Sequence, residues 1–148
     1  LTGLNKEETK KRIGEDQFKK YRRSWDVAPP PISKESEYHA KFSPLNNSIP
    51  SEKVPMSESL KNTYERVVPF YNTEIKEDLA ESKNVLISAH GNSLRALCKF
   101  LFKISDLKIN DLEIPTGNPL LIEFDNDLSI REYFYLDKNR AKKIIFNQ

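Results

Sequence analysis

The fold is decided by residues 84–95, which read NVLISAHGNSLR. The first half of this stretch is a short apolar run with β-branched side chains, which is typical of a strand covered on both faces in a parallel or mixed sheet. The second half predicts the start of a helix. Ligands of such sheets gather at the carboxyl ends of the strands, and the N–H groups at a helix N-terminus stabilise an anion. We therefore expect a phosphate-binding turn at His90.

Gly91 and His90 have different roles in that turn. Gly91 would let the backbone come close to a ligand, and His90 would touch the bound anion. A plainer interpretation stays open, in which this is an ordinary strand-to-helix turn and the histidine satisfies a backbone carbonyl. The stretch by itself does not decide between these two interpretations.

The composition predicts one domain of ordinary size, or part of one. The 148 residues include 24 basic and 22 acidic side chains, interspersed as on a solvated surface, which gives little support to nucleic-acid binding. No run approaches the roughly 18 apolar residues of a membrane span, and no N-terminal signal is evident. The lone Cys98 lies on an apolar helical face, so we expect a packed thiol in a cytoplasmic protein.

Helical patterns dominate the chain on both sides of the opening stretch. Asn5 and Glu8 form a near capping box for a helix over residues 6–13, which Gly14 ends. A second helix follows, with an aromatic face formed by Phe18, Tyr21 and Trp25, and ends at the prolines of residues 29–31. Three further helices are predicted over residues 60–79, with a bend at Pro69, over 93–102 and over 137–146.

The rest of the pattern predicts loops and a hairpin. Residues 32–56 read as a long surface loop, in which His39 is expected to be exposed and incidental. Two strands over residues 119–124 and 129–136 form an antiparallel hairpin. The fold class is therefore α/β, a layered and mostly parallel sheet flanked by helices. It is incomplete, because too few strands are present and the chain begins at Leu1 rather than at Met.

Three basic residues are further candidates for binding an anion: Lys6, Arg22 and Arg23. The adjacent arginines offer planar donor forks suited to phosphate or carboxylate, although a solvated basic face is the plainer interpretation. Thr116 and Gly117 form a turn that could line a pocket rim or be only a turn. No pair of acidic residues stands out as an acid/base couple.

These segments together resemble the C-terminal part of the bisphosphoglycerate-dependent phosphoglycerate mutases, a family of the histidine phosphatase superfamily. The resemblance covers nearly the whole chain, so residues 1–148 would be the C-terminal portion of one such domain. It is carried by five motifs in order, which are LTGLNK at 1–6, RRSWD at 22–26 before PPP, ESL at 58–60, AHGNSLR at 89–95 and IPTGNP at 114–119.

The resemblance implies an isomerase of glycolysis and gluconeogenesis that interconverts 3-phosphoglycerate and 2-phosphoglycerate through a phosphohistidine. It implies 2,3-bisphosphoglycerate as the priming donor, small phosphoglycerates as ligands, no metal, and a homodimer as in many family members. The family's second active-site histidine carries over to His90. Its substrate and cofactor contacts carry over to the remaining site residues, Lys6, Arg22, Arg23, Gly91 and Asn92.

The family's nucleophile has no counterpart in this chain. It is a histidine in an Arg-His-Gly motif near the N-terminus, and the proton-donating glutamate lies just upstream of the LTGLN segment. We therefore expect the 148-residue chain alone to be inactive. Two alternatives stay open, a phosphomonoester phosphatase of the same superfamily and a catalytically dead fragment that retains only phosphate binding.

Overall fold

The computed structural model describes residues 1–39 and 48–141. The chain divides into two units, Leu1–Asn62 and Thr63–Gln148. The described part of the first unit consists of helices and extended segments, and that of the second unit combines helices with a two-stranded sheet. Each unit is described by itself below.

The first helix of the first unit, α1, spans Lys6–Ile13. Its N-terminus is capped as the sequence predicts, because the Asn5 side-chain oxygen accepts hydrogen bonds from the backbone N–H groups of Glu7 at 2.9 Å and Glu8 at 3.2 Å. Gly14 ends the helix with a φ of 84°, in the region that favours glycine. Both predicted helix boundaries are confirmed.

The second helix, α2, spans Glu15–Arg23 and is shorter than predicted. The prediction that residues 29–31 end it was wrong, because Ser24 already takes an extended backbone and its hydroxyl donates to the Lys20 carbonyl at 2.5 Å. Trp25 therefore lies outside the helix, and its carbonyl accepts from the N–H of Lys61 at 2.8 Å. Helix α2 therefore ends before the prolines, where Ser24 leaves the helical backbone.

The segment between residues 32 and 56 is closed at its two ends, since the Ile32 N–H donates to the Met56 carbonyl at 2.9 Å. It includes a short 3₁₀ helix, Ser51–Lys53, and its residues 40–47 lie outside the described part of the chain. The prediction that His39 is exposed was wrong. His39 is buried, with its Nε2 atom 2.9 Å from the sulfur of Met56, because closing the segment brings the two residues together.

The next helix, α3, begins in the first unit, spans Leu60–Phe70 and contains Pro69. The chain continues without a break through a π-helical turn, Tyr71–Ile75, into α4, Lys76–Ala80. A proline inside a helix cannot donate a backbone hydrogen bond, and such irregular turns are one way in which a helix accommodates the loss. The predicted long helix is confirmed, and the bend predicted at Pro69 stays a prediction.

Residues 83–90 follow α4 and form no hydrogen-bonded strand, so the predicted strand over 84–89 is contradicted. Its residues are exposed, including Leu86, whose exposed fraction is 91%. Within the described residues the segment has no neighbouring strand, and an extended segment cannot form a ladder without one. The apolar sequence favours a strand, yet the structure holds it as extended chain.

Helix α5 spans Gly91–Leu101 and carries the buried centre of the second unit. Residues 95–99 are all buried, including Cys98, whose burial confirms the packed thiol and raises its pKa to about 12. A 3₁₀ helix, Lys108–Asp111, follows, and its Ile109 is completely buried. The Arg95 guanidinium connects the two helices by donating to the Ile109 carbonyl at 2.7 Å.

The sheet is an antiparallel hairpin of β1, Leu120–Phe124, and β2, Ile130–Tyr135. Leu120 lies opposite Tyr135, which confirms the predicted hairpin. Among the described residues no parallel pair of strands occurs. The sheet observed in this part of the chain therefore has only the two strands of this hairpin, whereas the sequence predicts a layered and mostly parallel sheet. Residues 138–140 form a turn rather than the expected helix start, and residues 142–146 of that prediction lie outside the described chain.

Candidate functional site

His90 occupies the N-cap position of α5, with an extended backbone at φ −63° and ψ 145°. Its Nδ1 atom accepts a hydrogen bond from the backbone N–H of Asn92 at 3.3 Å. In the neutral imidazole one ring nitrogen accepts and the other carries the proton, so this bond leaves the proton on Nε2. The exposed ring therefore offers an N–H donor at the positive end of the helix.

Gly91 is the first residue of α5 and is exposed. A Cβ atom added to it would have no neighbouring heavy atom within 4 Å, so the space beside its backbone is open. The first N–H groups of a helix have no partner within the helix. Gly91 thus provides a backbone donor that a ligand can approach closely, as the sequence predicts for an anion-binding turn.

Asn92 lies one residue further into the helix, and its side-chain oxygen accepts from the guanidinium of Arg95, with 3.3 Å between Nη1 and Oδ1. Arg95 is 4% exposed, and its Nη2 atom donates to the Ile109 carbonyl at 2.7 Å. Sequence analysis missed Arg95. The available signal was its position, since residues three apart on a helix lie on the same side and Arg95 follows Asn92 at that spacing.

The three other basic candidates belong to the first unit. Lys6 is the exposed first residue of α1, whereas Arg22 and Arg23 lie in the last turn of α2, where the helix dipole favours cations. The guanidinium of Arg22 stacks over the Phe18 ring, with 5.4 Å from Cζ to the ring centroid. The structure brings His90, Gly91 and Asn92 into one turn and places the two arginines side by side on another helix.

The turn at Thr116 and Gly117 is held from the C-terminal side of the hairpin. The Arg140 guanidinium donates to the carbonyls of Gly117 at 3.1 Å and Thr116 at 2.9 Å. Asn118 is buried and exchanges two hydrogen bonds with the backbone of Asp137, at 2.8 and 2.9 Å. These contacts make the turn a firmly held piece of the second unit.

The described residues contain neither a cluster of metal ligands nor a helix suited to a membrane. Within residues 1–39 and 48–141, no three His, Cys, Asp or Glu side chains come together as metal ligands would. Over the same ranges, no helix has the length and apolar character needed to cross a membrane.

Comparisons with known proteins agree on one family. A family model described as the histidine phosphatase superfamily, branch 1, matches residues 30–132. The chain is 54% identical over 145 residues to a protein of Pelagibacter ubique named 2,3-bisphosphoglycerate-dependent phosphoglycerate mutase. The chain is also 46% identical to proteins with the same name from Maricaulis maris, over 149 residues, and from Cutibacterium acnes, over 153 residues.

These alignments cover 97–100% of the chain but only 60–61% of each relative. The chain therefore spans about three fifths of the length of the curated relatives that it matches. The family model nevertheless covers well over half of the chain and includes the turn at His90. The chain belongs to the histidine phosphatase superfamily, branch 1.

Proposed function

We propose that this chain is the C-terminal portion of a longer phosphoglycerate mutase, which interconverts 3-phosphoglycerate and 2-phosphoglycerate with 2,3-bisphosphoglycerate as the priming phosphoryl donor. The observation that carries the proposal is the identity of 46–54%, across nearly all of the chain, to proteins named for that activity. By this proposal the enzyme acts in glycolysis and gluconeogenesis, is cytoplasmic and forms a homodimer.

The exposed segment before His90 supports the view that the active protein is longer. Val85, Leu86 and Ile87 are apolar and at least 36% exposed, and no strand among the described residues pairs with them. Burial of such a run normally stabilises a protein. In the longer protein, residues 84–89 would join a mostly parallel sheet and direct His90 towards the substrate.

The donors around His90 suit a phosphoryl group. His90 offers Nε2–H, Gly91 its backbone N–H, and Asn92 its side-chain amide, all at the N-terminus of one helix. Phosphoryl transfer depends on fixed donors that stabilise the negative charge of the group in flight. Bound 2,3-bisphosphoglycerate would supply the phosphoryl group that primes a nucleophilic histidine outside this chain, and the residues described here would hold the group in place.

The basic residues of the first unit are proposed as anion contacts of that unit. Arg22 and Arg23 can each present a planar fork to a carboxylate or a second phosphate, and Lys6 adds a point charge. Donors that fix the charged groups of a small ligand also orient its reacting oxygen. Such anchoring separates a mutase from an enzyme that lets water take the phosphoryl group.

The test compares the two histidines of this chain in the longer protein. His90→Ala should lower kcat for conversion of 3-phosphoglycerate by about 10³-fold, because a donor to the transferring group is lost. His39→Ala is the matched control, since His39 is buried beside Met56 in the first unit, and it should leave kcat unchanged. The 148-residue chain alone should show no turnover. Normal turnover by the His90→Ala protein would contradict the proposed role.

The family match favours a second candidate, a phosphomonoester phosphatase of the same superfamily. The two functions separate when the longer protein is assayed with phosphoglycerates and with simple phosphomonoesters. Faster hydrolysis of the esters would favour the phosphatase. Phosphate binding without turnover of either substrate class would favour a catalytically dead protein.

A further inference from the structure

Arg95 is a buried cation one turn inside the helix that carries the candidate site. Arg95 is 4% exposed. Its Nη2 atom donates to the carbonyl of Ile109 at 2.7 Å, and its Nη1 atom donates to the side-chain oxygen of Asn92 at 3.3 Å. Ile109 is completely buried. Arg95 therefore connects the interior of the second unit to the first turn of α5.

An arginine side chain has donors and no acceptor. The Asn92 atom that faces Arg95 must therefore be its oxygen, and the amide nitrogen lies on the opposite edge of the planar group. This arrangement reserves both N–H bonds of the Asn92 amide for an acceptor other than the guanidinium. An asparagine without such a neighbour could present either its oxygen or its nitrogen to a ligand, and the oxygen would repel an anion.

We infer that Arg95 is a positioning residue, which orients the Asn92 amide so that its N–H bonds face an anion bound at His90 and Gly91. Arg95 itself does not touch that anion. The inference rests on the proposed function, because it assumes that the first turn of α5 binds a phosphate. Arg95 would thus raise the affinity for the anion through its hydrogen bond to the Asn92 side chain.

The experiment is a double-mutant cycle on the 148-residue chain, with inorganic phosphate titrated and the backbone amides of Gly91 and residue 92 followed by NMR. Arg95→Lys, made in the wild-type background, should weaken phosphate binding about fivefold, because Asn92 is no longer held in one orientation. In the Asn92→Ala background the same substitution should change the affinity by less than about 1.5-fold. Equal weakening in both backgrounds, or none in either, would overturn the inference.

Lys99→Arg is the matched control. Lys99 is the other buried cation of α5, and its Nζ contacts Asp106 at 2.6 Å and the Ile104 carbonyl at 2.7 Å. The control should lower thermal stability without changing phosphate affinity. If it weakened phosphate binding as much as Arg95→Lys does, the effect of Arg95 would be a general loss of helix packing, and the inference would fail.

A second variant keeps the inference testable if Arg95→Lys does not fold. Asn92→Asp retains an oxygen for Arg95 and removes both N–H donors of the amide. The Asn92→Asp chain should therefore melt at a higher temperature than the Asn92→Ala chain and bind phosphate more weakly than the wild-type chain. Equal melting temperatures would show that Arg95 does not hold residue 92. A wild-type chain without any phosphate-dependent shift at Gly91 would instead refute the anion site of the proposed function, and the positioning role with it.

Discussion

The β1–β2 hairpin and residues 84–89 have sequences of the same kind and different structures. Both are predicted as strands from β-branched or aromatic residues, although the hairpin strands also carry charged side chains. The hairpin forms a registered antiparallel ladder, with Leu120 opposite Tyr135, whereas residues 84–89 form no ladder and leave Leu86 91% exposed. The difference shows that apolar character favours a strand but does not supply its partner.

The hairpin has its partner close in the chain. Five residues, 125–129, separate the two strands, and the N–H of Asp125 donates to the Ser129 carbonyl at 2.9 Å across the turn. Closing a short loop costs little chain entropy, so the ladder forms locally. Residues 84–89 follow a helix and precede another, as in a parallel sheet, and their partner must come from a distant segment.

The two regions also differ in what we expect them to do. Tyr135 at the end of the hairpin is 4% exposed and belongs to the buried part of the second unit. The segment 84–89 instead leads directly to His90 and the first turn of α5. Substitutions in the hairpin should therefore change stability, and substitutions around His90 should change ligand binding.

The largest expected effect is at Tyr135. Tyr135→Ala should lower the free energy of unfolding of the 148-residue chain by about 3 kcal/mol, because a large buried ring is removed. Tyr135→Phe should change it by less than about 1 kcal/mol, since the hydroxyl is buried without a hydrogen-bond partner among the described residues. Urea unfolding followed by circular dichroism measures both. A larger loss in the phenylalanine variant would show that the hydroxyl is paired.

The next expected effect is the change in stability caused by Leu86→Ala, compared between the 148-residue chain and the longer protein. Leu86→Ala should change the stability of the 148-residue chain by less than about 0.5 kcal/mol, because the side chain is exposed. In the longer protein it should cost about 2–4 kcal/mol if residues 84–89 become a covered strand. Leu97→Ala, at a buried position of α5, should be costly in both and serves as the control. A neutral Leu86→Ala in the longer protein would refute the covered strand.

A pH effect on stability is expected from two buried groups of the second unit, Tyr135 of β2 and Cys98 of α5. Burial raises the pKa of the Tyr135 phenol to about 12, and burial likewise raises the pKa of the Cys98 thiol to about 12, from ordinary values of 10.0 and 9.0. Unfolding at alkaline pH therefore releases protons, so the free energy of unfolding falls as the pH rises from 9 towards 12. The slope should approach about 1.4 kcal/mol per pH unit for each group.

Tyr135→Phe separates the two contributions to this pH effect. It removes the phenol while leaving Cys98, so the slope measured by urea unfolding between pH 10 and about 11.5 should become shallower. Residues 84–89 contain no ionisable side chain and cannot contribute. A stability that does not change over this range would contradict the burial of both groups.

The smallest expected effect lies in the first turn of α5. Gly91→Ala meets no atom within 4 Å, so stability should be unchanged, while the added methyl group should weaken phosphate binding about fivefold. Gly117→Ala is the control, because that glycine has a φ of 68° and open space around it. It should lower stability by about 1 kcal/mol without changing phosphate affinity. Unchanged affinity in Gly91→Ala would place the ligand away from this glycine.

The accuracy of the sequence predictions followed the range of the interactions involved. The cap at Asn5, the stop at Gly14 and the β1–β2 hairpin depend on neighbours within a few residues, and all three were predicted. The burial of His39, which was not predicted, depends on Met56, 17 residues away. Residue patterns do not specify such contacts.

The candidate site divides in the same way. The turn of His90, Gly91 and Asn92 was proposed from the sequence because its residues are consecutive, and the structure places them at a helix start. Its binding of an anion stays a prediction. Arg95 was not recognised, since its importance arises from burial and from the carbonyl of Ile109, 14 residues away. Only a folded chain brings that carbonyl to the guanidinium.

The sequence by itself determined the capped helix boundaries and the hairpin, and the anion-binding role of the turn at His90 stays a prediction. The reason is that capping, turn geometry and helix dipoles act over a few bonds. The tertiary structure decided that residues 84–89 remain without a strand partner among the described residues and that Arg95 is held by the carbonyl of Ile109. Both outcomes depend on which distant groups are present to pair, and residue patterns carry no information about that.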